Sequence, residues 1–553
     1  MSSLLDVAGL TVAFHGTRVV DGVSFALQRG ECLALVGESG SGKSVTTRTL
    51  VGLTGYGARV HADRLRFHGT DVTGFTDRTW RRVRGARIGF VLQDALASLD
   101  PLRPVGREIA EPLTLHTALN RAERAARVHE LLTSVGVPEP EVRAAQYPHQ
   151  LSGGLRQRAL IASAIACDPD LLLADEPTTA LDATVALQVL DLLGSLKGNR
   201  SGLLIVSHDL AVVARLADRV AVMKDGRIVE AGSTEAVLQD PQHPYTKALL
   251  AAVPSAHAKG TRLSAVERPA ASASVAVPDP GPAPGLEPVL AAVGLRKSFP
   301  GPDGVARVAV EDVSLTLRAG ETLGIVGESG SGKSTTARLL LGLETPDAGD
   351  VLVDGTAWTA LTSEQRRAHR RRLQIVYQDP LSSFDPRYTV DRVIGEALGV
   401  AGYPRGTRRR DRTVELLELV ALDAGYLRRR PLELSGGQRQ RVAIARALAA
   451  EPEVIVCDEP VSALDVSVQA QILDLLADLQ TRLRVAYLFI SHDLGVVYHA
   501  SDRVLVMRDG RVLESGDVRT VFADPQHDYT RELLAAIPRL TTHAAPPTPM
   551  GVS

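Results

Sequence analysis

The chain has 553 residues, of which 44% are hydrophobic and 23% charged, and its formal net charge at pH 7 is -2. This length exceeds one compact core, so two or more domains are expected. The balanced charge disfavours nucleic acid as a partner, because nucleic-acid binding usually leaves a basic domain or stripe. The three cysteines are widely separated, which argues against a disulfide framework and a zinc site.

No stretch of the sequence predicts a membrane span or a secretion signal. Crossing a bilayer takes roughly 18 uninterrupted apolar residues, and no window reaches that length. The first residues, MSSLLD, lack the basic and apolar regions of a signal peptide. We therefore expect a cytosolic protein that reaches a membrane only through a partner.

The first motif with chemical meaning is a glycine-rich loop that follows an apolar, strand-like run at 32–36. In the pattern G-x-x-x-x-G-K-S, backbone N–H groups curl around phosphate oxygens at the start of a helix. Lys43 is expected to hold the β- and γ-phosphates of ATP, and Ser44 to supply a hydroxyl to Mg²⁺. A glycine-rich turn without a ligand is the alternative. The residues of the loop are Gly37, Glu38, Ser39, Gly40, Ser41, Gly42, Lys43 and Ser44.

Farther along, the apolar run 171–174 ends in Asp175 and Glu176. Continuous apolar runs suit strands of a parallel sheet that is covered on both faces, and ligands bind beyond the carboxyl ends of such strands. Asp175 is therefore predicted to contact Mg²⁺, and Glu176 to act as the base that polarises the attacking water. Alone, an acidic pair is as consistent with a solvated loop or a helix cap.

The whole series returns in the second half of the chain. The loop repeats letter for letter, shifted by 290 positions from 37 to 327, and the Asp-Glu-Pro and Ser-His-Asp segments follow in the same order. Such a long period indicates two copies of one α/β domain. Asp458 and Glu459 take the roles of the first acidic pair. The second loop consists of Gly327, Glu328, Ser329, Gly330, Ser331, Gly332, Lys333 and Ser334.

Composition sets the expected domain boundaries. Residues 1–254 form the first domain and 289–540 the second, each ending in a shared element described below. Residues 255–288 are rich in proline and alanine and predict a flexible linker, and 541–553 predict a disordered tail.

Together these motifs resemble the ATP-binding cassette family, with two nucleotide-binding domains in one polypeptide. Its signature is matched by LSGGLRQR from Leu151 and LSGGQRQR from Leu434. The resemblance implies a P-loop NTPase fold in each half, with a mainly parallel sheet and a helical subdomain. It also implies an internal pseudo-dimer, in which the serine-glycine segment of one half caps the phosphate bound by the other. Those residues are Ser152, Gly153, Gly154, Ser435, Gly436 and Gly437.

The resemblance also implies further site residues, in corresponding pairs. Glutamines of a switch loop sense Mg²⁺ and the γ-phosphate, histidines contact the γ-phosphate, aspartates couple the two sites, and aromatic rings stack on adenine. Core packing is the alternative for the aromatic pair. Leu155 stands where the family signature has glutamine, which leaves open whether the two ATP sites are equally active. The pairs are Gln93 and Gln378, His208 and His492, Asp182 and Asp465, and Phe14 and Phe299.

A second repeat resembles the C-terminal element of oligopeptide, dipeptide and nickel importer ATPases. It reads PQHPYTKALLAAVP from Pro241 and PQHDYTRELLAAIP from Pro525. A turn and short helix that only pack on their own domain are the alternative. Neither copy is followed by a cysteine-rich tail, so no iron–sulfur cluster is expected.

The resemblance thus implies a subunit that hydrolyses ATP to ADP and phosphate at the cytoplasmic face of the cell membrane. Its expected partners are two integral-membrane permease subunits and an extracytoplasmic solute-binding protein, and its expected cargo is di- or oligopeptides, with nickel or glutathione as alternatives. A double cassette without a membrane partner, such as a translation or DNA-repair factor, is the alternative. Such proteins usually have a long charged arm or zinc-binding cysteines, whereas this sequence has a linker rich in proline and alanine and widely separated cysteines. A sugar importer with one degraded site is disfavoured, because both loops and both acidic pairs are complete.

Overall fold

The structure, a computed structural model, forms two units whose boundary lies between Leu250 and Ala251. Residues 265–287 of the predicted linker and the predicted tail 541–553 lie outside the described part of the chain, whereas Pro288, the last residue of that linker, begins a strand. No described helix is both long and apolar enough to cross a membrane. The structure describes residues 3–93, 98–179, 181–197, 201–264, 288–301 and 305–535.

The first unit contains two sheets. In one, β1 (Leu5–Phe14) pairs antiparallel with β2 (Thr17–Leu27), β4 (Ala58–His61) and β5 (Arg64–Phe67), and β6 (Thr70–Asp71) pairs with β5. The other has the order β11-β10-β3-β9-β8-β7 and is parallel except for β11 at its edge. Its strands are β3 (Cys32–Val36), β7 (Ile88–Val91), β8 (Leu171–Asp175), β9 (Gly202–Ser207), β10 (Arg219–Lys224) and β11 (Arg227–Ser233).

Every residue of β3, β8 and β9 is buried, as expected for strands with both faces covered. The core of this unit joins Leu33 and Leu35 of β3 to Leu10 and Val12 of β1, so the two sheets share one core. The helices are α1 (Lys43–Thr49), α2 (Asp77–Val83), α3 (Val105–His116), α4 (Arg121–Ser134), α5 (Pro140–Ala145), α6 (Gly153–Ala164), α7 (Ala183–Lys197), α8 (Leu210–Leu216), α9 (Thr234–Gln239) and α10 (Pro244–Ala251).

The second unit repeats this design. Its antiparallel sheet has the order β13-β12-β15-β16, and its mainly parallel sheet has the order β17-β18-β19-β14-β20-β21. The strands are β12 (Pro288–Pro300), β13 (Ala306–Arg318), β14 (Thr322–Val326), β15 (Ala348–Val353), β16 (Thr356–Ala357), β17 (Leu373–Val376), β18 (Val454–Asp458), β19 (Ala486–Ile490), β20 (Arg503–Arg508) and β21 (Arg511–Asp517).

Helices again flank the second parallel sheet, and one group of them precedes the strand that ends in the acidic pair. The helices are α11 (Lys333–Leu340), α12 (Ser363–Arg372), α13 (Val390–Val400), α14 (Thr407–Leu419), α15 (Gly436–Leu448), α16 (Val466–Leu483), α17 (Leu494–Ala500), α18 (Val518–Ala523) and α19 (Asp528–Ala535). Helices α13, α14 and α15 contact one another, as α3, α4 and α6 do in the first unit. Each unit therefore has the helical subdomain that the resemblance implied.

Part of the predicted linker is folded onto the second unit. Residues Pro254–Ala256 form a short 3₁₀ helix against α17, and Leu263 is buried with 3% of its surface exposed. Lys259 lies 2.6 Å from Asp502 in an ion pair. Composition alone predicted flexibility from residue 255 onwards, but these contacts give the first ten residues of that stretch a fixed place.

Candidate active site

The glycine-rich loop 37–44, here called the P-loop of the first unit, as 327–334 is that of the second, leads from β3 into α1. The buried ammonium of Lys43 donates to the carbonyl oxygens of Gly37 at 2.7 Å and Glu38 at 2.8 Å. Lys333 makes the same contacts with Gly327 and Glu328, at 2.8 and 2.7 Å. Each loop therefore curls around its own lysine and holds the lysine's positive charge within the loop.

The first glycine of each loop has a backbone that other residues avoid. Gly37 has a φ of +154°, and a Cβ atom there would lie 2.2 Å from the carbonyl oxygen of Met223 in β10. In the second unit Gly327 has a φ of +152° and approaches Met507 to the same degree. Glycine is needed here both for its conformation and for the close approach of β10.

The end of β8 brings Asp175 to the start of α1. Ser44 Oγ donates to Asp175 Oδ1 at 2.9 Å, whereas the buried Oδ2 has no hydrogen-bond partner among the described residues. Burial raises the pKa of Asp175, although the hydrogen bond from Ser44 opposes this shift. A buried carboxylate oxygen without a donor suits a cation, so the pair Ser44 and Asp175 fits the oxygen ligands that Mg²⁺ prefers.

Glu176 receives donors on both of its carboxylate oxygens. His208 Nδ1 lies 3.2 Å from Oε1, while Gln93 Nε2 donates to Oε2 at 2.8 Å and Thr179 Oγ1 at 3.1 Å. Gln93 follows β7 and His208 follows β9, so three parallel strand ends meet here. Glu176 has a left-handed backbone with a φ of +49°. Such strain in a non-glycine residue often marks a functional site.

The glutamate and the histidine shift each other's pKa. Burial alone would raise the pKa of Glu176, but the hydrogen bond and charge of His208 outweigh it, so the pKa is lowered. Burial alone would lower the pKa of His208, but the carboxylate outweighs it, so the pKa is raised. Both shifts favour the charged forms of the two side chains, that is, their ion pair.

The second unit holds the same arrangement. His492 Nδ1 lies 3.1 Å from Glu459 Oε1, and Gln378 Nε2 donates to Glu459 Oε2 at 2.9 Å. Glu459 also has a φ of +49°, and the pKa shifts of Glu459 and His492 have the same directions as in the first unit. The contact from Ser334 Oγ to Asp458 Oδ1 is longer, at 3.4 Å.

Each signature serine caps the start of a helix in its own unit. Ser152 caps α6 by accepting from the amide of Leu155 at 3.4 Å, and Ser435 caps α15 through Gln438 at 3.3 Å. Gln438 also accepts from the amide of Ser435 at 3.0 Å, which completes a capping box. Leucine cannot accept this bond, so the departure at Leu155 removes half of the capping box in the first unit.

The remaining predicted residues have visible structural roles. Asp182 caps α7 through the amide of Val185 at 2.9 Å, and Asp465 caps α16 through Val468 at 3.2 Å. Phe14 is partly buried against the first core, whereas Phe299 is more exposed, with the ammonium of Lys297 lying 5.5 Å from the centre of its ring. Stacking on adenine and coupling between sites stay predictions for these four residues.

Sequence reasoning missed two kinds of contact. Thr179 was not singled out, although it donates to Glu176, and Ser462 in the second unit accepts from Gln378 at 3.3 Å. Tyr245 and Tyr529 were seen only as part of a family marker, but each hydroxyl touches a P-loop. The one available signal was the exact repetition of the tyrosine in both C-terminal elements.

Comparisons with known proteins show the family of this chain. The profile of the ABC transporter family matches residues 20–179 and 310–462, which carry both P-loops and both acidic pairs. This chain belongs to the ABC transporter family. The profile "Oligopeptide/dipeptide transporter, C-terminal region" matches residues 229–278 and 513–550.

Two curated members of the family are similar over nearly the whole chain. The peptidoglycan transport ATP-binding protein YejF of Agrobacterium fabrum is 47% identical over 96% of this chain and 96% of its own length. The glutathione import ATP-binding protein GsiA of Escherichia coli K12 is 46% identical over 97% of this chain and 90% of its own length. This ABC protein therefore binds nucleotide and hydrolyses ATP as the motor subunit of a membrane-associated transporter.

Proposed function

We propose that this ABC protein powers the import of di- or oligopeptides, or of solutes of similar size such as glutathione. The observation that carries the proposal is the pair of C-terminal elements, both matched by the oligopeptide/dipeptide transporter profile. The similarity to a glutathione importer subunit supports the same solute class. The proposed partners are two permease subunits and an extracytoplasmic binding protein, with this chain at the cytoplasmic face.

In each unit the P-loop binds the phosphates of ATP. The ammonium groups of Lys43 and Lys333 contact the β- and γ-phosphates, and the loop amides supply further donors. Ser44 with Asp175, and Ser334 with Asp458, would hold Mg²⁺, which neutralises the phosphate charge when it is bound. Completion of each site by the serine-glycine segment of the other half belongs to the same proposal.

Glu176 and Glu459 accept the proton of the attacking water. In the structure, each carboxylate is held by its histidine and glutamine. Arrival of the γ-phosphate offers a stronger anion to His208 and Gln93, so that one oxygen of Glu176 is released toward the water. The same exchange occurs at Glu459. Each glutamate is thus free to act as a base only when the γ-phosphate is present.

The paired substitution Glu176→Gln with Glu459→Gln tests the assignment of the base. Glutamine keeps the shape and can still hydrogen-bond, but it cannot accept the proton at neutral pH. ATP binding should remain while the steady-state hydrolysis rate falls by about 100-fold or more, in line with the loss of a general base. Near-normal hydrolysis by the purified double variant would show that these glutamates are not the base. Glu235→Gln, at an exposed position of α9, is the matched control.

The solute class is tested with the chain in its transporter complex. Permeases that copurify with the tagged chain are reconstituted in proteoliposomes with their binding protein. Di- and tripeptides, glutathione and Ni²⁺ are then compared as stimulators of ATP hydrolysis. We expect stimulation by peptides or glutathione. Stimulation by Ni²⁺ alone would contradict the proposed solute class while leaving the ATPase assignment intact.

A further inference from the structure

The C-terminal element of each unit reaches back to the P-loop of the same unit. The hydroxyl of Tyr245 accepts a hydrogen bond from the backbone amide of Glu38 at 3.1 Å. In the second unit Tyr529 accepts from Glu328, also at 3.1 Å. Each tyrosine is the second residue of the short helix that follows the PQH sequence, α10 in the first unit and α19 in the second. The element therefore does more than pack on the domain surface.

The amide that the tyrosine binds belongs to the peptide group that holds the P-loop lysine. The carbonyl of this peptide is Gly37 O, which accepts from Lys43 Nζ at 2.7 Å, and its N–H is that of Glu38. A single peptide plane is thus fixed at both ends, by an ammonium on one side and a phenol on the other. In the second unit the corresponding carbonyl is Gly327 O, at 2.8 Å from Lys333.

The tyrosine is itself held by neighbouring strands. The ammonium of Lys224, at the end of β10, lies 5.0 Å from the centre of the Tyr245 ring, and Arg508 lies 4.6 Å from that of Tyr529. Such distances are typical of cation–π contacts. Lys224 directly follows Met223, whose carbonyl oxygen closes against Gly37. One strand end therefore supports both the glycine and the tyrosine.

The turn before the tyrosine is fixed by a glutamate of the adjacent strand. Glu230 of β11 accepts from the amides of Gln242 at 2.6 Å and His243 at 3.1 Å. His243 Nδ1 in turn accepts from the amide of Tyr245 at 3.2 Å. Glu514, Gln526 and His527 repeat these contacts in the second unit. Gln, His and Tyr occur in the same order in both repeats, and these contacts orient the tyrosine hydroxyl of each repeat toward its P-loop.

We propose that Tyr245 and Tyr529 are positioning residues of the two P-loops, each fixing the peptide plane that presents the loop lysine to ATP. The inference rests on the proposed function of the P-loops. Because the preceding glycine permits rotation of this peptide, a loop without the tyrosine hydroxyl samples more conformations before ATP binds. Ordering the loop then takes up part of the binding free energy, so the affinity for ATP falls.

The test uses the full chain with one P-loop disabled at a time. In a Lys333→Ala background, where the first P-loop alone keeps its lysine, Tyr245→Phe should weaken Mg²⁺-ATP binding about 2- to 10-fold, the range of one neutral hydrogen bond. Tyr529→Phe should have little effect there. In a Lys43→Ala background, Tyr529→Phe should weaken ATP binding and Tyr245→Phe should have little effect. Isothermal titration calorimetry measures the affinity, and Tyr56→Phe, at a fully exposed tyrosine, is the control.

Two results would overturn the inference. In the first, the phenylalanine variants bind ATP as tightly as their parents, while Tyr245→Ala and Tyr529→Ala lower the melting temperature. This result would show that the tyrosine contributes only the packing of its ring. Equal weakening by both phenylalanine variants in both backgrounds would show a diffuse effect rather than positioning of the loop in the same unit. Absence of ATP binding by the unmodified chain would instead remove the proposed function, and this inference with it.

Discussion

At the scale of single residues, the two glutamate–histidine pairs are the most informative feature of the structure. Each pair combines a carboxylate of lowered pKa with an imidazole of raised pKa, at 3.1 to 3.2 Å. The same groups would serve catalysis once separated. In the proposed mechanism, ATP breaks this contact.

The pKa shifts predict how this stabilisation depends on pH. The glutamate contribution is present above its ordinary value of 4.5 and is lost as the pH falls through the lowered pKa. The histidine contribution is complete below its ordinary value of 6.5 and is lost as the pH rises through the raised pKa. The pairs should thus stabilise the fold most between about pH 4.5 and 6.5.

We expect His208→Gln with His492→Gln to lower the melting temperature of the nucleotide-free protein most near pH 6. The difference from the unmodified chain should shrink towards pH 8.5, because the imidazoles lose their charge. Differential scanning fluorimetry at pH 5.5, 7 and 8.5 measures it. His61→Gln, whose side chain is 77% exposed, controls for the loss of a surface histidine. A difference that stays constant with pH would contradict the ion-pair interpretation.

At the scale of elements, the helix after the signature serine has two glycines with different tasks. A Cβ atom at Gly154 would lie 2.5 Å from Val185 Cγ1 of α7, whereas at Gly153 it would meet nothing within 4 Å. Gly437 and Val468 repeat the close contact in the second unit at 2.3 Å. The second glycine is thus explained by helix packing in both units. The first leaves open space beside the helix start in the first unit, whereas a Cβ atom at Gly436 would lie 3.2 Å from Leu464 Cδ2.

This difference predicts opposite results for two alanine substitutions. Gly154→Ala should destabilise the first unit by about 1–3 kcal/mol, because the added methyl group overpacks the contact with α7. Gly153→Ala should leave stability unchanged or raise it by up to about 1 kcal/mol through helix propensity. If Gly153 faces phosphate as proposed, its variant should nevertheless lose ATPase activity. Urea unfolding and phosphate release separate the two effects, and a stable, fully active Gly153→Ala protein would exclude the phosphate contact.

Local patterns and long-range contacts differed in how well the sequence predicted them. The strand, the P-loop and the following helix lie within 32–49, and their order was readable because each step is local. The contact between Gln93 and Glu176 spans 83 positions, and that between Glu38 and Tyr245 spans 207. The family resemblance named Gln93 as a switch-loop residue but did not predict its contact with Glu176. The second was missed, because nothing local to either residue shows which strand ends meet.

At the scale of the whole molecule, the chain passes from the first unit to the second at Leu250 and Ala251. Residues 254–264, here called the strap, therefore belong to the second unit although they continue the C-terminal element of the first. Composition could not reveal this, since alanine, serine and histidine also suit a flexible linker. A few directed contacts with α16 and α17 decide the position of the strap.

Asp474 of α16 is the main anchor of the strap. Its carboxylate accepts from the amides of Leu263 at 3.1 Å and Ser264 at 2.9 Å, and from the hydroxyl of Ser264 at 2.5 Å. Asp191 holds the equivalent place in α7 of the first unit, 283 positions earlier, as Glu176 does relative to Glu459. Its side chain is 63% exposed and pairs with Arg215. The two units thus use one aspartate position in different ways.

We expect Asp474→Ala to release the strap. Three donors would lose their shared acceptor, and leaving buried donors unsatisfied costs about 1–3 kcal/mol. In the full chain, the amides of Leu263 and Ser264 should therefore exchange with solvent about 5- to 150-fold faster. Hydrogen exchange followed by mass spectrometry measures this rate, with Asp191→Ala as the matched control. Protection that survives in the Asp474→Ala protein would mean that the burial of Leu263, rather than the carboxylate, holds the strap in place.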